Sequence, residues 1–312
     1  MMPINRRLAL TALLLVTLLW AGGFLWTKQA LDVGEHYLGR GLDANSAVVG
    51  LFMLIRFGAA VCLLPLVLPR VVRSLGPSEW IAGGYLAALL GTGFVLQTVG
   101  LQDLNPAVSA FLTSLMVIFT ALLGRVFFKH KLRPSLILGV ALATIGAGFI
   151  SGPPQLHFGW PEWLTVGGAF IFAANILAVD HYTKKLDALK LTWTSLVWMT
   201  AIALAVLGFG ILQSVNQIAL FQLAVDPGFL IPTGLCAVFA TVLAFSLMNR
   251  FQKSVSPVRA AILYSLEPVW TTGLMLVFGW SGLNGWVVFG GGALLAGNLV
   301  AELRGNVPSL HE

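Results

Sequence analysis

Glu267 and Arg56 are the two ionisable residues set deepest in apolar sequence. Glu267 lies eleven residues beyond Ser256, and Arg56 eleven beyond Asn45. At helical rise each would sit about 16 Å into a membrane span, near the middle of a hydrocarbon layer of about 30 Å. An isolated charge there costs roughly 2.5–3.5 kcal/mol even on insertion scales, so a facing partner or a wet cavity is expected for both. Two readings follow. Glu267 or Arg56 contacts a charged substrate group, or Glu267 takes up a proton during a transport cycle. Alternatively, a buried Arg56–Glu267 salt bridge or separate hydrogen bonds at helix ends fix the bundle. Pro268 follows Glu267 directly. A mid-helix proline supplies no N–H to the carbonyl one turn earlier, near Tyr264, which frees an acceptor for substrate or hinges the helix.

Uncharged groups at similar depth extend the candidate site. Trp20 stands about twelve residues into the first apolar run, where interfacial anchoring does not explain an indole; a cavity wall or core packing does. Asn175 and Asn298 are polar groups inside later apolar runs, suited to substrate contact or to helix-to-helix hydrogen bonding. Gln97, Tyr85 and Trp270 are weaker candidates for the cavity wall.

The elements that hold these residues are membrane spans. With 58% hydrophobic and 10% charged residues and a mean hydropathy of +0.89, the chain is not an ordinary soluble domain, in which charges approach a quarter of the residues. The spacing predicts ten helices near 8–31, 45–69, 79–101, 105–127, 134–151, 160–182, 191–213, 229–251, 256–279 and 284–302. The first run lacks a small-residue cleavage site and is read as a retained helix. A polar loop over about 32–44, with Asp32, Glu35, His36 and Asp43, is expected outside the membrane.

Fifteen of the eighteen Lys and Arg residues then fall on one side: Arg6, Arg7, Arg70, Arg73, Arg125, Lys129, Lys131, Arg133, Lys184, Lys185, Lys190, Arg250, Lys253, Arg259 and Arg304. Cytoplasmic loops retain such residues, so both termini are expected in the cytoplasm, with the protein in a plasma membrane of the bacterial inner-membrane kind. The net charge of +6 is dispersed between apolar runs and gives no nucleic-acid surface.

A repeat organises the spans. At a constant offset of 151 positions Pro106 faces Pro257, Ser114 Ser265, Leu115 Leu266, Thr120 Thr271, Gly139 Gly290 and Gly146 Gly297. Five spans per half force the second half to be inverted. The expected fold is therefore an all-α membrane protein of ten transmembrane helices, a 5+5 inverted-topology repeat with halves at 1–152 and 153–312. Inverted repeats point to secondary transport. Asn-Pro at 105–106 and Ser-Pro at 256–257 each supply an N-cap followed by a first-turn proline. Gly139, Ala143 and Gly146 form one small-residue stripe and Gly290, Ala293 and Gly297 its mate, for packing inside the bundle or for a homodimer seam.

The stretch LQTVGLQDLNPAVSAFLTSLMVIFTALLGRVFF at 96–128, with SPVRAAILYSLEPVWTTGL at 256–274, resembles the drug/metabolite transporter superfamily, specifically its EamA-type ten-helix members. Trp20-Ala21-Gly22-Gly23-Phe24 is similar to the family's first-helix Trp-Gly motif, and Ile55-Arg56-Phe57 to its second-helix arginine. The resemblance implies a central substrate cavity and export of a small metabolite or drug. Where many relatives carry a glutamate after the fourth helix, this chain reads Phe128-Lys129-His130-Lys131-Leu132. A proline common in that helix is absent from LMVIFTAL at 115–122.

The sequence contains no phosphate-binding loop, zinc-protease motif or nucleophile elbow, so neither ATP-driven pumping nor hydrolysis is expected. Cys62 and Cys236 lie in separate apolar runs and His36, His130, His157 and His311 in loops or the tail, so no disulfide, metal or cofactor is expected. The leading expectation is export of small amphipathic metabolites, amino acids or related compounds, by alternating access. A multidrug or sugar/nucleoside-type transporter of the same fold is the near alternative. A non-transporting receptor or assembly subunit is the alternative of another class.

Overall fold

A computed structural model describes residues 6–128, 134–150, 153, 159–213 and 215–303. The basic residues Lys129, Lys131, Arg133 and Arg304 and the histidines His130, His157 and His311 lie outside them. Among the described residues the chain is helical with no strand: α1 (Arg6–Leu38), α2 (Leu42–Val67), α3 (Pro77–Asp103), α4 (Pro106–Ser114), α5 (Met116–Phe128), α6 (Pro134–Ile150), α7 (Trp160–Thr183), α8 (Ala188–Leu212), α9 (Gln217–Val225), α10 (Pro227–Leu235), a π-helical segment (Cys236–Leu243), α11 (Ala244–Phe251), α12 (Pro257–Tyr264), α13 (Glu267–Val277) and α14 (Gly285–Leu303). Eight continuous or jointed helices are long and apolar enough to cross a membrane, the last two being Pro227–Ser254 and Pro257–Val277. The expected fifth and tenth spans appear as shorter apolar helices, Ile137–Gly146 and Gly285–Gly297.

Local chemistry sets the ends. The Asn105 side chain accepts from the Ala107 N–H at 2.9 Å, with Pro106 in the first turn of α4. Ser256 does the same for the Arg259 N–H of α12, ahead of Pro257. Glu79 and Glu162 accept from the N–H groups of Gly76 and Gly159, closing the first turns of α3 and α7.

The expected polar loop over 32–44 is largely helical. α1 continues to Leu38 because Lys28 and Asp32 pair one turn apart at 3.0 Å and Arg40 clamps Glu35 at 2.6 Å. Only Gly39–Gly41 separates it from α2. Gly39 has φ of +72°, a left-handed conformation that ends the helix without the strain a side chain would bring.

Small residues set the closest helix crossings. On the α2–α8 seam, a Cβ at Gly50 would lie 2.5 Å from the Leu207 Cα, and one at Gly210 would lie 2.6 Å from the Ala47 N. On the α6–α14 seam, a Cβ at Gly146 would lie 2.6 Å from the Gly290 O and one at Gly297 2.7 Å from the Gly139 O. Both seams are reciprocal. The small-residue stripes thus face each other within the chain. Elsewhere α1 packs against α10, the π-helical segment, α11 and α13, while α7 packs against α3, α4 and α5.

Candidate functional site

Three long apolar stretches are interrupted at the middle of the bundle. α4 gives way to α5 at Leu115, and α12 to α13 at Ser265 and Leu266, positions related by the 151-residue offset. At each joint a serine hydroxyl donates back to the carbonyl three residues earlier, Ser114 to Phe111 and Ser265 to Ile262, both at 2.7 Å. Such back-bonding competes with the backbone ladder and bends helices. The second joint also holds Pro268 in the first turn of α13. The first has no proline, so the serine and not the proline is the shared cause. The third interruption is the π-helical segment, where widened turns release backbone carbonyls.

These interruptions surround one cavity of about 70 Å³, several times the roughly 10–15 Å³ that a single water needs. Its wall takes Trp20, Gly23, Phe24 and Thr27 from α1, Arg56 from α2, Phe94, Gln97 and Thr98 from α3, Thr113 from α4, Phe172 and Asn175 from α7, Phe245 and Met248 from α11, Tyr264 from α12 and Glu267 from α13.

Arg56 is 3% exposed. Its Nε donates to Thr241 Oγ1 at 2.7 Å, and its Nη2 lies 3.5 Å from the Ala240 carbonyl of the π-helical segment. The guanidinium carbon stands 4.8 Å from the centre of the Phe94 ring and 5.4 Å from that of Phe57, an aromatic cage that favours a cation. Glu267, 4% exposed, is the first residue of α13, just past the helix joint and on the cavity wall. The two share the cavity but form no ion pair: every ion pair found among the described residues lies elsewhere, and Arg56 turns its Nε and Nη2 to the π-helical segment. The salt bridge held open by the sequence is thus replaced by separate hydrogen bonds on Arg56 and a carboxyl facing the cavity.

Other expected residues divide. Gln97 donates to Thr113 Oγ1 at 2.8 Å, tying α3 to α4 across the wall. Asn175 donates to the Leu86 carbonyl at 3.2 Å, joining α7 to α3, so its amide serves the packing while its body lines the cavity. Trp20 meets Tyr264 and Phe245 edge-on at 5.2 and 6.2 Å, and its buried indole nitrogen has no partner. Tyr85 is outside the cavity: it is 53% exposed and packs on Tyr182. Trp270 is outside too, 38% exposed on the outer face of α13, with its indole N–H donated to Thr17 at 3.0 Å. Neither side chain reaches the cavity wall. Asn298 is on α14, and its side chain falls outside the described residues.

Sequence reasoning missed the side chains of Thr241, Tyr264 and Phe94, having singled out only the backbone carbonyl near Tyr264. Tyr264 donates to Gln252 at 3.0 Å, and Gln252 donates in turn to the Ile176 carbonyl at 2.8 Å, a chain that joins α12 to α7 on one side of the cavity. On another side, beyond Thr27 and Leu101, Lys28 donates to the Gln102 carbonyl at 2.5 Å and Arg40 lies 3.5 Å from Asp103. Next to these contacts is an open recess lined by Lys28, Asp32, Asp103 and Asn105. The serine pairing at 114 and 265 was the signal common to both helix joints, and Pro268 a further one for the second.

The sequence profile of the EamA-like transporter family matches residues 7–152 and 159–302. The chain is 25% identical over 268 residues to a protein of Archaeoglobus fulgidus described as an uncharacterized transporter, covering 85% of this chain and 76% of that one. It is also similar to a solved structure described only as the crystal structure of a protein, with a TM-score of 0.68 at 18% identity over 96% of this chain and 98% of that one. At that identity the likeness concerns the fold alone.

Proposed function

Because the chain belongs to the EamA-like transporter family, we infer that this integral membrane protein is a secondary transporter exporting small amphipathic metabolites, amino acids or related compounds, by alternating access through the central cavity. The architecture in this reading is ten spans in two inverted halves, 1–152 and 153–312. The profile matching in two successive stretches supports it, as do the helix joints at 115 and 265–266 and the two reciprocal glycine seams. The helix neighbours support it as well: α1 packs on the jointed helix α10–α11 as α7 packs on α3, and α1 meets α13 as α7 meets α5. Such halves can rock about a site held between them. With the basic residues counted inside, both termini face the cytoplasm of a bacterial inner membrane.

The observation that carries the reading is the convergence on one cavity of Glu267 at a half-helix start, Arg56 against the π-helical segment, and the aromatic walls of Trp20, Phe94, Phe172 and Phe245. A polar centre in an apolar wall suits a small solute with one charged end and one greasy end. Glu267, with no donor from the protein among the described residues, is the group that would contact such a solute or carry a proton in exchange. Transport of radiolabelled leucine into proteoliposomes, measured with and without an imposed pH gradient, separates the two. Loss of the gradient's effect in Glu267→Gln supports proton exchange. An unchanged pH dependence in that variant rules out proton carriage by Glu267, and no effect of the gradient on the wild-type protein assigns it to passive transport.

A further inference from the structure

Hydrogen-bond accounting around the cavity distinguishes groups the protein has already satisfied from groups it has left open. Gln97 and Asn175 donate to Thr113 and to the Leu86 carbonyl, and Arg56 is held by Thr241, the Ala240 carbonyl and the Phe94 face. Beside the Thr98 hydroxyl, which also has no partner among the described residues, two groups left open carry the stronger recognition chemistry. The Glu267 carboxyl receives no hydrogen bond from any described residue, and the Trp20 indole nitrogen is buried in the wall without an acceptor. They lie on neighbouring elements: the Trp20 ring is 5.2 Å from that of Tyr264, and Tyr264 is one turn before Glu267. Buried polar groups in proteins are almost always paired, and an exception in a binding cavity marks the place of a ligand group.

Resting on the transporter reading above, we propose that the cavity recognises its solute by an amine: a primary ammonium donating to Glu267, with an adjacent oxygen accepting from the Trp20 N–H, while Arg56 positions the π-helical segment and does not anchor a carboxylate. The chemistry follows from charge and stoichiometry. An ammonium supplies three donors and a compensating charge to the carboxyl. An indole offers one donor and no acceptor, so the group that meets it must be an oxygen or another acceptor. Thr241 at 2.7 Å and the Ala240 carbonyl hold the Nε and Nη2 edge of Arg56, so a carboxylate could not bind side-on there without displacing them. The solute class is therefore a small aliphatic amine carrying a carbonyl or hydroxyl oxygen near the nitrogen, whether or not that oxygen belongs to an acid.

Four compounds of one shape test this by calorimetry on the full-length protein in detergent: leucine, leucine methyl ester, isoamylamine and N-acetylleucine. The amine is present in the first three and acylated in the fourth, the carboxylate is masked in the ester, and isoamylamine has no oxygen. Leucine and its ester should bind within about threefold of each other, and N-acetylleucine at least tenfold more weakly. Glu267→Gln should weaken leucine and isoamylamine by at least tenfold. Trp20→Phe removes the N–H and shortens the aromatic wall, so it should weaken leucine and its ester several-fold more than isoamylamine, and isoamylamine binding that persists shows that the variant is folded. Equal binding of N-acetylleucine and leucine, loss of the ester relative to leucine, an equal effect of Trp20→Phe on isoamylamine, or no binding of any of the four would overturn the proposal. Failure of the transport reading looks different: leucine would bind with this selectivity but not cross proteoliposome membranes.

Discussion

Replacing Gly50 with alanine would set a methyl group 2.5 Å from the Leu207 Cα, where ordinary contact begins at 3.4 Å. Backbone cannot rotate away as a side chain can, so α2 and α8 must part locally by about 1 Å. Overpacking of this kind costs about 1–3 kcal/mol, from which a five- to 150-fold fall in the folded population follows at 1.4 kcal/mol per decade. The seam supplies its own internal check. Gly210 meets Ala47 across the same crossing, so separation forced by the first methyl group makes room for the second. The two costs should therefore fall short of additive by at least about 0.5 kcal/mol. Gly208 on α8, whose Cβ would meet nothing within 4 Å, is the control. Thermal denaturation in detergent of the single variants, the Gly50→Ala/Gly210→Ala pair and Gly208→Ala reads all four. A Gly50→Ala shift no larger than that of Gly208→Ala, or strictly additive losses in the pair, would refute the account of the seam.

Thr241→Val removes the acceptor for a buried guanidinium N–H, at a cost of about 1–3 kcal/mol. Thr241→Ser should restore the melting temperature, and a valine variant as stable as the parent would break the link between Arg56 and the π-helical segment. Lys28→Met severs the bond to the Gln102 carbonyl and the pair with Asp32. A cysteine placed at Leu101 should then react several-fold faster with a membrane-impermeant maleimide, and an unchanged rate would mean that Lys28 closes nothing. Trp270→Phe loses one hydrogen bond to Thr17, worth about 0.5–1.5 kcal/mol, and should lower the melting temperature while leaving leucine affinity within twofold. A larger loss of affinity would return Trp270 to the binding site.

The apolar runs made the helices legible, and Asn105-Pro106 and Ser256-Pro257 marked two helix starts at the residues where they occur. Depth along a helix was legible as well, since counting residues measures it: Glu267, Arg56, Trp20, Asn175 and Gln97 line one cavity. Azimuth was not. Tyr85 and Trp270 lie off the cavity wall, because an all-apolar helix in lipid carries little amphipathic signal to say which side is inward. The continuation of α1 through Glu35 was hidden because its polar residues looked like a loop, although Lys28 and Asp32 are spaced one turn apart. The π-helical segment at Cys236–Leu243 has no proline or polar residue pattern to announce it, and only Arg56, arriving from α2, gives its released carbonyl a partner. The joint at Leu115 arises without the proline that made the joint at Pro268 readable.

The central claim is that one cavity, built around Glu267, carries a small amphipathic solute across the membrane. Counterflow in proteoliposomes preloaded with unlabelled leucine and exposed to a trace of labelled leucine tests it most directly, because exchange needs the loaded site to face both sides in turn. Wild-type protein should accumulate label transiently above equilibrium, and Glu267→Gln should reduce that overshoot at least tenfold with little change in melting temperature. An undiminished overshoot in Glu267→Gln would contradict the account.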